Sequence, residues 1–369
     1  MNVHSAEMVY SHSFEQLEIQ NKPKRFKTNP RNQFPLLKLP RVVLLECIEN
    51  LDVLEIILFS LISKRAKTIA KLVHWSPLDI HLGTECGPQI VLKCYTDPDN
   101  EWVIEYNEDR EPSEYPYFDS EETDLTVLHY LFLNDNGNAI EDSKQMTAHI
   151  CEVFRSPISG IDLCEESEIE WIIKFQPTLR NVWIWDDAIT SVETLDHTFK
   201  NLKVTNYFYL ESVSTVEKFQ YKEPIPARFL SIRNSYWLTL PSILNGTNSC
   251  VRLQDSKLTP KDINTLLKKW QMGLKLRTLE YLEIKSFTPL DVESFTNEAL
   301  KDLVWTNGDE NDGRPTNVEI DDDSTYTLPE VQTVKNLIRN DGMIGSIFEV
   351  FEDDNMELCF SFQVWSKQI

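Results

Sequence analysis

Seven histidines, seven cysteines and 59 acidic residues are the raw material for chemistry in this 369-residue chain, and their spacing argues against most of it. His149 and Cys151 form the tightest His and Cys pair. Residues two apart point to different faces of a helix, so they do not share a metal ion. The cysteines are odd in number and dispersed from Cys47 to Cys359, with none in the C-x-x-C spacing of a zinc or redox site. They read as reduced, small buried hydrophobes. Glu165, Glu166, Glu168 and Glu170 read as the exposed face of a segment whose Trp171 and Ile172 turn inward. The G-x-S-x-G elbow, the G-x-x-x-x-G-K-[ST] phosphate loop, G-x-G-x-x-G and H-E-x-x-H are all absent. The expectation is a non-enzymatic chain with no catalytic, cofactor-binding or metal-binding residues.

The residues whose spacing does suggest a task are apolar, and the task is docking. Pro40 stands where a first-turn proline is tolerated, which predicts a helix from about Arg41 with Val43, Leu44, Cys47, Ile48 and Leu51 along one face. Asp52 with Glu55 predicts a capping box for a second helix carrying Leu54, Ile57 and Leu58. Ser60 is placed to cap a third, which carries Ile62, Ala66, Ile69, Ala70 and Val73. Three helices this short expose more apolar surface than they can bury among themselves, so a partner is implied.

The run Phe34-Pro35-Leu36-Leu37-x-Leu39-Pro40, the leucine-spaced helices and Leu61-x-Ser63-Lys64-Arg65 together resemble an F-box. That resemblance implies docking on the Skp-type adaptor of a cullin-based SCF ubiquitin ligase, with the rest of the chain binding a target protein. It implies adaptor contacts at Phe34, Pro35, Leu39, Pro40, Val43, Leu44, Ile48, Leu58 and Leu61. The alternative is a repeat-type interaction scaffold whose N-terminal helices pack against its own C-terminal part and which has no ligase role.

Composition narrows the partners. A net charge of −23 repels phosphate backbones and anionic lipid, excluding nucleic-acid and membrane-surface roles unless a basic patch is segregated. The one such patch, Lys22, Lys24, Arg25, Lys27 and Arg31, is interleaved with Pro23 and Pro30 and reads as a solvated linker. The N-terminus lacks the charged start and apolar core of a secretory signal, and no apolar run reaches the length of a membrane span. An intracellular protein is expected, with cytoplasm and nucleus both open. Between Asp97 and Asp124 twelve acids face one base, Arg110, which reads as an acidic face without the loop pattern of a calcium site.

The elements that must carry a docking module fall into order along the chain. Residues 1–32 are polar and aperiodic and read as a disordered tail, followed by the F-box at 33–75. Alternation at Leu78–Leu82, Ile90–Tyr95 and Trp102–Tyr106 predicts a β-rich connector over 76–124. From 125 to 369, apolar strands recur at Ile158–Leu163, Leu179–Trp185, Leu202–Tyr209, Phe229–Ile232, Ser249–Leu253, Thr278–Ile284 and Leu303–Thr306, with helical segments between. Their spacing predicts an α/β, leucine-rich-repeat-like stack. Thr259, Pro260 and Asp262 cap a helix with Ile263, Leu266, Leu267 and Trp270 on one face, ahead of the strand Leu279–Ile284. This unit, with Trp237 before it, resembles the type 2 F-box-associated domain. Ser346–Glu352 and Met356–Trp365 predict a C-terminal β-hairpin closing the stack. The fold class is therefore α+β. Nothing in these residues names the substrate; Trp183, Trp185, Tyr207 and Tyr209 alternate on their strands and read first as core packing.

Overall fold

The computed structural model describes residues 36–84, 87–107, 116–123, 126–186, 188–213, 219–286, 292–308, 313–319, 325–327, 334–352 and 357–366. A short 3-10 turn, Leu36–Lys38, leads into α1 (Arg41–Glu49), α2 (Val53–Ile62) and α3 (Lys64–Ala70). Asp52 caps α2 through a capping box with Glu55, and its Oδ1 accepts from the Leu54 amide at 2.9 Å. The cap of α3 is Ser63, not Ser60, and Ser63 Oγ accepts from the Ala66 amide. Ser60 lies inside α2, where its hydroxyl donates to the Ile57 carbonyl.

Strands β1 (Leu78–Gly83), β2 (Gln89–Cys94), β3 (Asp97–Asn107), β4 (Tyr117–Glu122) and β5 (Val127–Asn134) come next. Then β6 (Ile158–Leu163), β7 (Thr178–Ile184), β8 (Lys203–Leu210), β9 (Phe229–Ile232), β10 (Cys250–Leu253) and β11 (Tyr281–Ser286) follow, separated by helices except for β8 and β9, between which the described residues hold none. The helices are α4 (Ala139–Phe154) before β6, then α5 (Glu166–Phe175), α6 (Val192–Asn201), α7 (Leu240–Leu244) and α8 (Pro260–Gln271). Helix α9 (Val292–Ala299) precedes β12 (Trp305–Asn307), the pair β13 (Asn317–Glu319) and β14 (Thr325–Thr327), and β15 (Lys335–Ile338), β16 (Ile344–Glu352) and β17 (Glu357–Trp365).

One large sheet holds all but β13 and β14, in the order β12-β15-β16-β17-β11-β10-β9-β8-β7-β6-β1-β2-β3-β5-β4. Its centre, β1 and β6 through β11, is parallel throughout. A parallel strand cannot return by a hairpin, so each connection crosses over, in most cases through a helix. Strands from the 76–124 stretch enter this same sheet, with β1 pairing β2 on one side and β6 on the other.

Two outcomes differ from the sequence reading. The segment Leu303–Thr306 does not add a further parallel strand: β12 lies at the sheet edge, antiparallel to β15. The place beside β11 goes to β17, antiparallel, with Leu282 opposite Phe362. Phe360 and Phe362 are fully buried there, and Phe362 meets Trp270 of α8 edge-on at 4.9 Å. Three residues with exposed side chains could not fill that core as the phenylalanines do. The hairpin thus covers the last parallel strand, and two further strands extend beyond it.

The core is one cluster running from Leu44 in α1 through the strands to Val364 in β17. A second, small cluster of Phe229, Cys250, Tyr281 and Phe348 includes Tyr207 at its margin.

Candidate docking surface

Helices α1–α3 divide their apolar residues between an inward and an outward side. Leu44 is 4% exposed and Ile48 0%, and both join the core with Leu54, Ile57 and Ala66. Outward stand Val42 and Ile62, each 72% exposed, with Val43 at 47% and Leu61 at 45%. Pro40 is exposed, while Leu39 and Leu58 are half-buried against the core. Phe34 and Pro35 lie outside the described residues, as do the basic cluster 22–31 and the tail around it. Of the residues the F-box resemblance implicates, Pro40, Val43 and Leu61 are therefore surface groups, while Leu44 and Ile48 are buried and hold α1 to the body.

The spacing argument passed over Val42 and set Ile62 on the apolar face of the third helix, whereas Ile62 is the last residue of α2 and faces outward. It also missed the seam fastening these helices to the body. Lys67 of α3 and Lys71, the residue that caps its end, both reach Glu152 of α4, at 2.6 and 2.9 Å. The two ammonium groups hold the Glu152 carboxyl down at about 2. His149 Nε2 lies 2.6 Å from Ser60 Oγ. Burial, with Lys67 nearby, lowers the His149 pKa. Trp102 Nε1 donates to Asp52 Oδ2 at 2.8 Å, joining β3 to the α2 cap, and Arg155 donates to the Lys71 carbonyl. Beside that cap a groove of about 410 Å³ opens between Asp52, Glu55, Phe118, Asp119 and His129.

The groups that might do chemistry are occupied otherwise. Burial pushes the Cys151 and Cys250 thiols up to about 12, which disfavours the nucleophilic thiolate. Glu168 is corrected from an exposed position to a buried one. Its Oε2 accepts from the Cys164 and Glu165 amides at 3.0 Å, closing the N-terminus of α5. Burial raises its pKa. Among the described residues no group of three or more His, Cys, Asp or Glu could hold a metal ion, and no helix is long and apolar enough to cross a membrane. Trp183, Trp185, Tyr207 and Tyr209 are half-buried, on the face opposite the core residues Val182, Ile184, Phe208 and Leu210.

A family model described as F-box domain matches residues 36–75, the stretch from the 3-10 turn to Trp75 just past α3. A second, described as F-box associated, matches residues 221–284, which holds β9, α7, β10, α8 and most of β11. The chain thus carries an F-box domain followed by an F-box-associated domain. No curated protein and no solved structure matches it significantly.

Proposed function

We propose that this chain is a non-catalytic, substrate-recruiting subunit of an SCF-type ubiquitin ligase. Its F-box docks on a Skp-type adaptor, and through it on a cullin, while the α/β region from about residue 125 binds a target protein inside the cell. The observation that carries this reading is the coincidence of the F-box match with helices that keep Pro40, Val42, Val43, Leu61 and Ile62 on the surface. Covering large apolar side chains is worth roughly 1.5 to 3 kcal/mol each before ordering costs, so a few of them can drive a stable interface. The central strands and their crossover helices, β6 to β11, read as repeat-like units that leave a broad face for the target.

The first variant replaces exposed residues only, so that folding is not at stake. Val43→Asp with Leu61→Asp is expected to leave the melting temperature within a few degrees of wild type and to cut co-purification with the adaptor by about tenfold or more, the effect of at least 1.4 kcal/mol. Leu39→Ala with Pro40→Ala should weaken it less, since Leu39 is partly spent on the core. Undiminished co-purification of the aspartate variant would remove the adaptor reading. The second reading, a scaffold without a ligase, draws on the burial of Leu44, Ile48, Leu54 and Ile57 within this chain. It predicts no adaptor binding by the wild-type protein.

A further inference from the structure

At the β4 end of the sheet, the strand residues whose side chains alternate inward, Ile104 and Leu131 among them, belong to the common core with the helices. The opposite alternation forms a different surface. The register places Glu105 beside Phe132 and Phe132 opposite Tyr117, then Tyr130 opposite Asp119, then Leu128 opposite Glu121. Three rings make a stacked row: Tyr117 and Phe132 have centroids 4.5 Å apart at 9°, and Phe132 and Tyr130 5.4 Å apart at 14°. All three are half-buried.

Among the described residues the charge on this face is mostly acidic, and its base, Lys93, is engaged by Glu101 at 2.8 Å. Among the described residues Glu105, Asp119 and Glu121 have no ion-pair partner. Burial raises the Glu105 carboxyl, and burial with Glu121, Glu105, Glu101 and Asp119 raises the Tyr130 phenol. A cation brought here relieves that field, and guanidinium and ammonium groups also favour aromatic faces. An acidic or neutral occupant would take water from the carboxylates and return nothing.

We propose that the ring row Tyr117, Phe132 and Tyr130, with Glu105, Asp119 and Glu121, docks an extended arginine- or lysine-bearing segment of the protein to be delivered. This rests on the recruiting role and names the chemistry of the recruit. A sheet face suits an extended segment, and the chain's net charge of −23 would steer a basic one toward it.

The probe is a fluorescent peptide of alternating arginine and glycine, with its glutamate counterpart as reference, titrated by anisotropy against the full-length chain. So acidic a protein binds any polycation diffusely, so two charge variants are compared. Asp119→Asn with Glu121→Gln removes two exposed charges from the face, and Glu298→Gln with Asp302→Asn removes two at α9. The face variant is expected to lose about fivefold or more in affinity, and Tyr130→Leu, with charge unchanged, about threefold, while the α9 variant stays within about twofold. Equal losses in the two charge variants, no loss in Tyr130→Leu, or no preference for arginine over glutamate would each overturn the proposal. Adaptor co-purification, measured in parallel, should be untouched by the face variants, so failure here is separable from failure of the ligase reading.

Discussion

Gly345 in β16 faces the aromatic pair that locks the hairpin to α8. A Cβ at this position would overlap the Phe362 ring and come within 2.8 Å of Trp270. Both rings are fully buried and neither can swing aside, so Gly345→Ala is expected to cost about 1 to 3 kcal/mol. A lowered urea midpoint with an unchanged slope would show it; an unchanged midpoint would mean the pair has room to spare. Trp270 was legible in the sequence as the end of an apolar stripe beginning at Ile263. The demand for glycine at 345 was not, because Phe362 approaches from another strand. The docking residues show the same boundary. Val43 and Leu44 are neighbours in sequence, but successive helical residues point about 100° apart, and only packing decides which of them turns inward. Leu44 did, leaving Val43 and Val42 outside.

At the scale of elements, local signals placed starts and stops well and partners poorly. Strands β6 and β9 fall on the residues that alternation marks, and α8 begins at the proline that its cap predicts. In that cap Thr259 Oγ1 accepts from the Asp262 amide while Asp262 Oδ2 accepts from the Thr259 amide at 2.8 Å. Thr259→Ala should therefore destabilise the chain by about 1 kcal/mol, read as a fall in melting temperature, with Thr259→Ser retaining most of the stability. A fully stable alanine variant would mean that packing of Leu266, Leu267 and Trp270 alone sets this helix. Where the signal misled, a long-range contact had outweighed a local one. Ser60 has the composition of a cap, yet its hydroxyl is used inside α2, against the Ile57 carbonyl and His149. The last apolar segment of the strand series, at 303–306, has the right spacing for a parallel strand, but the hairpin's phenylalanines had the better claim on β11. Pairing order is a property of which faces fill a core together, and spacing along one chain does not contain it.

Over the whole molecule, whether the F-box moves with the rest depends on the polar groups between α2–α3 and α4. Their protonation gives a pH dependence with a definite sign. The folded pKa of His149 is lowered, so the native state favours the neutral ring; this contribution is whole above about 6.5 and is lost as pH falls through the lowered value. Glu152 is held at about 2 against an ordinary 4.5, so its contribution is whole above 4.5 and disappears between 4.5 and about 2. Glu152 is exposed, so solvent screens its two lysine contacts and each adds little alone. The two losses nonetheless run in the same direction and occur in sequence as acid is added. Hydrogen exchange, corrected for intrinsic rates, should show α2 and α3 losing protection first below pH 6.5 and again below pH 4.5, ahead of the central strands. Glu152→Gln should reduce the second step and leave the first, whereas His149→Gln should do the reverse. A seam that opens at the same pH in both variants and the wild type would mean that Leu54, Ile57 and Ala66 alone fasten the F-box, and that its polar contacts add no measurable rigidity to its attachment to the rest of the chain.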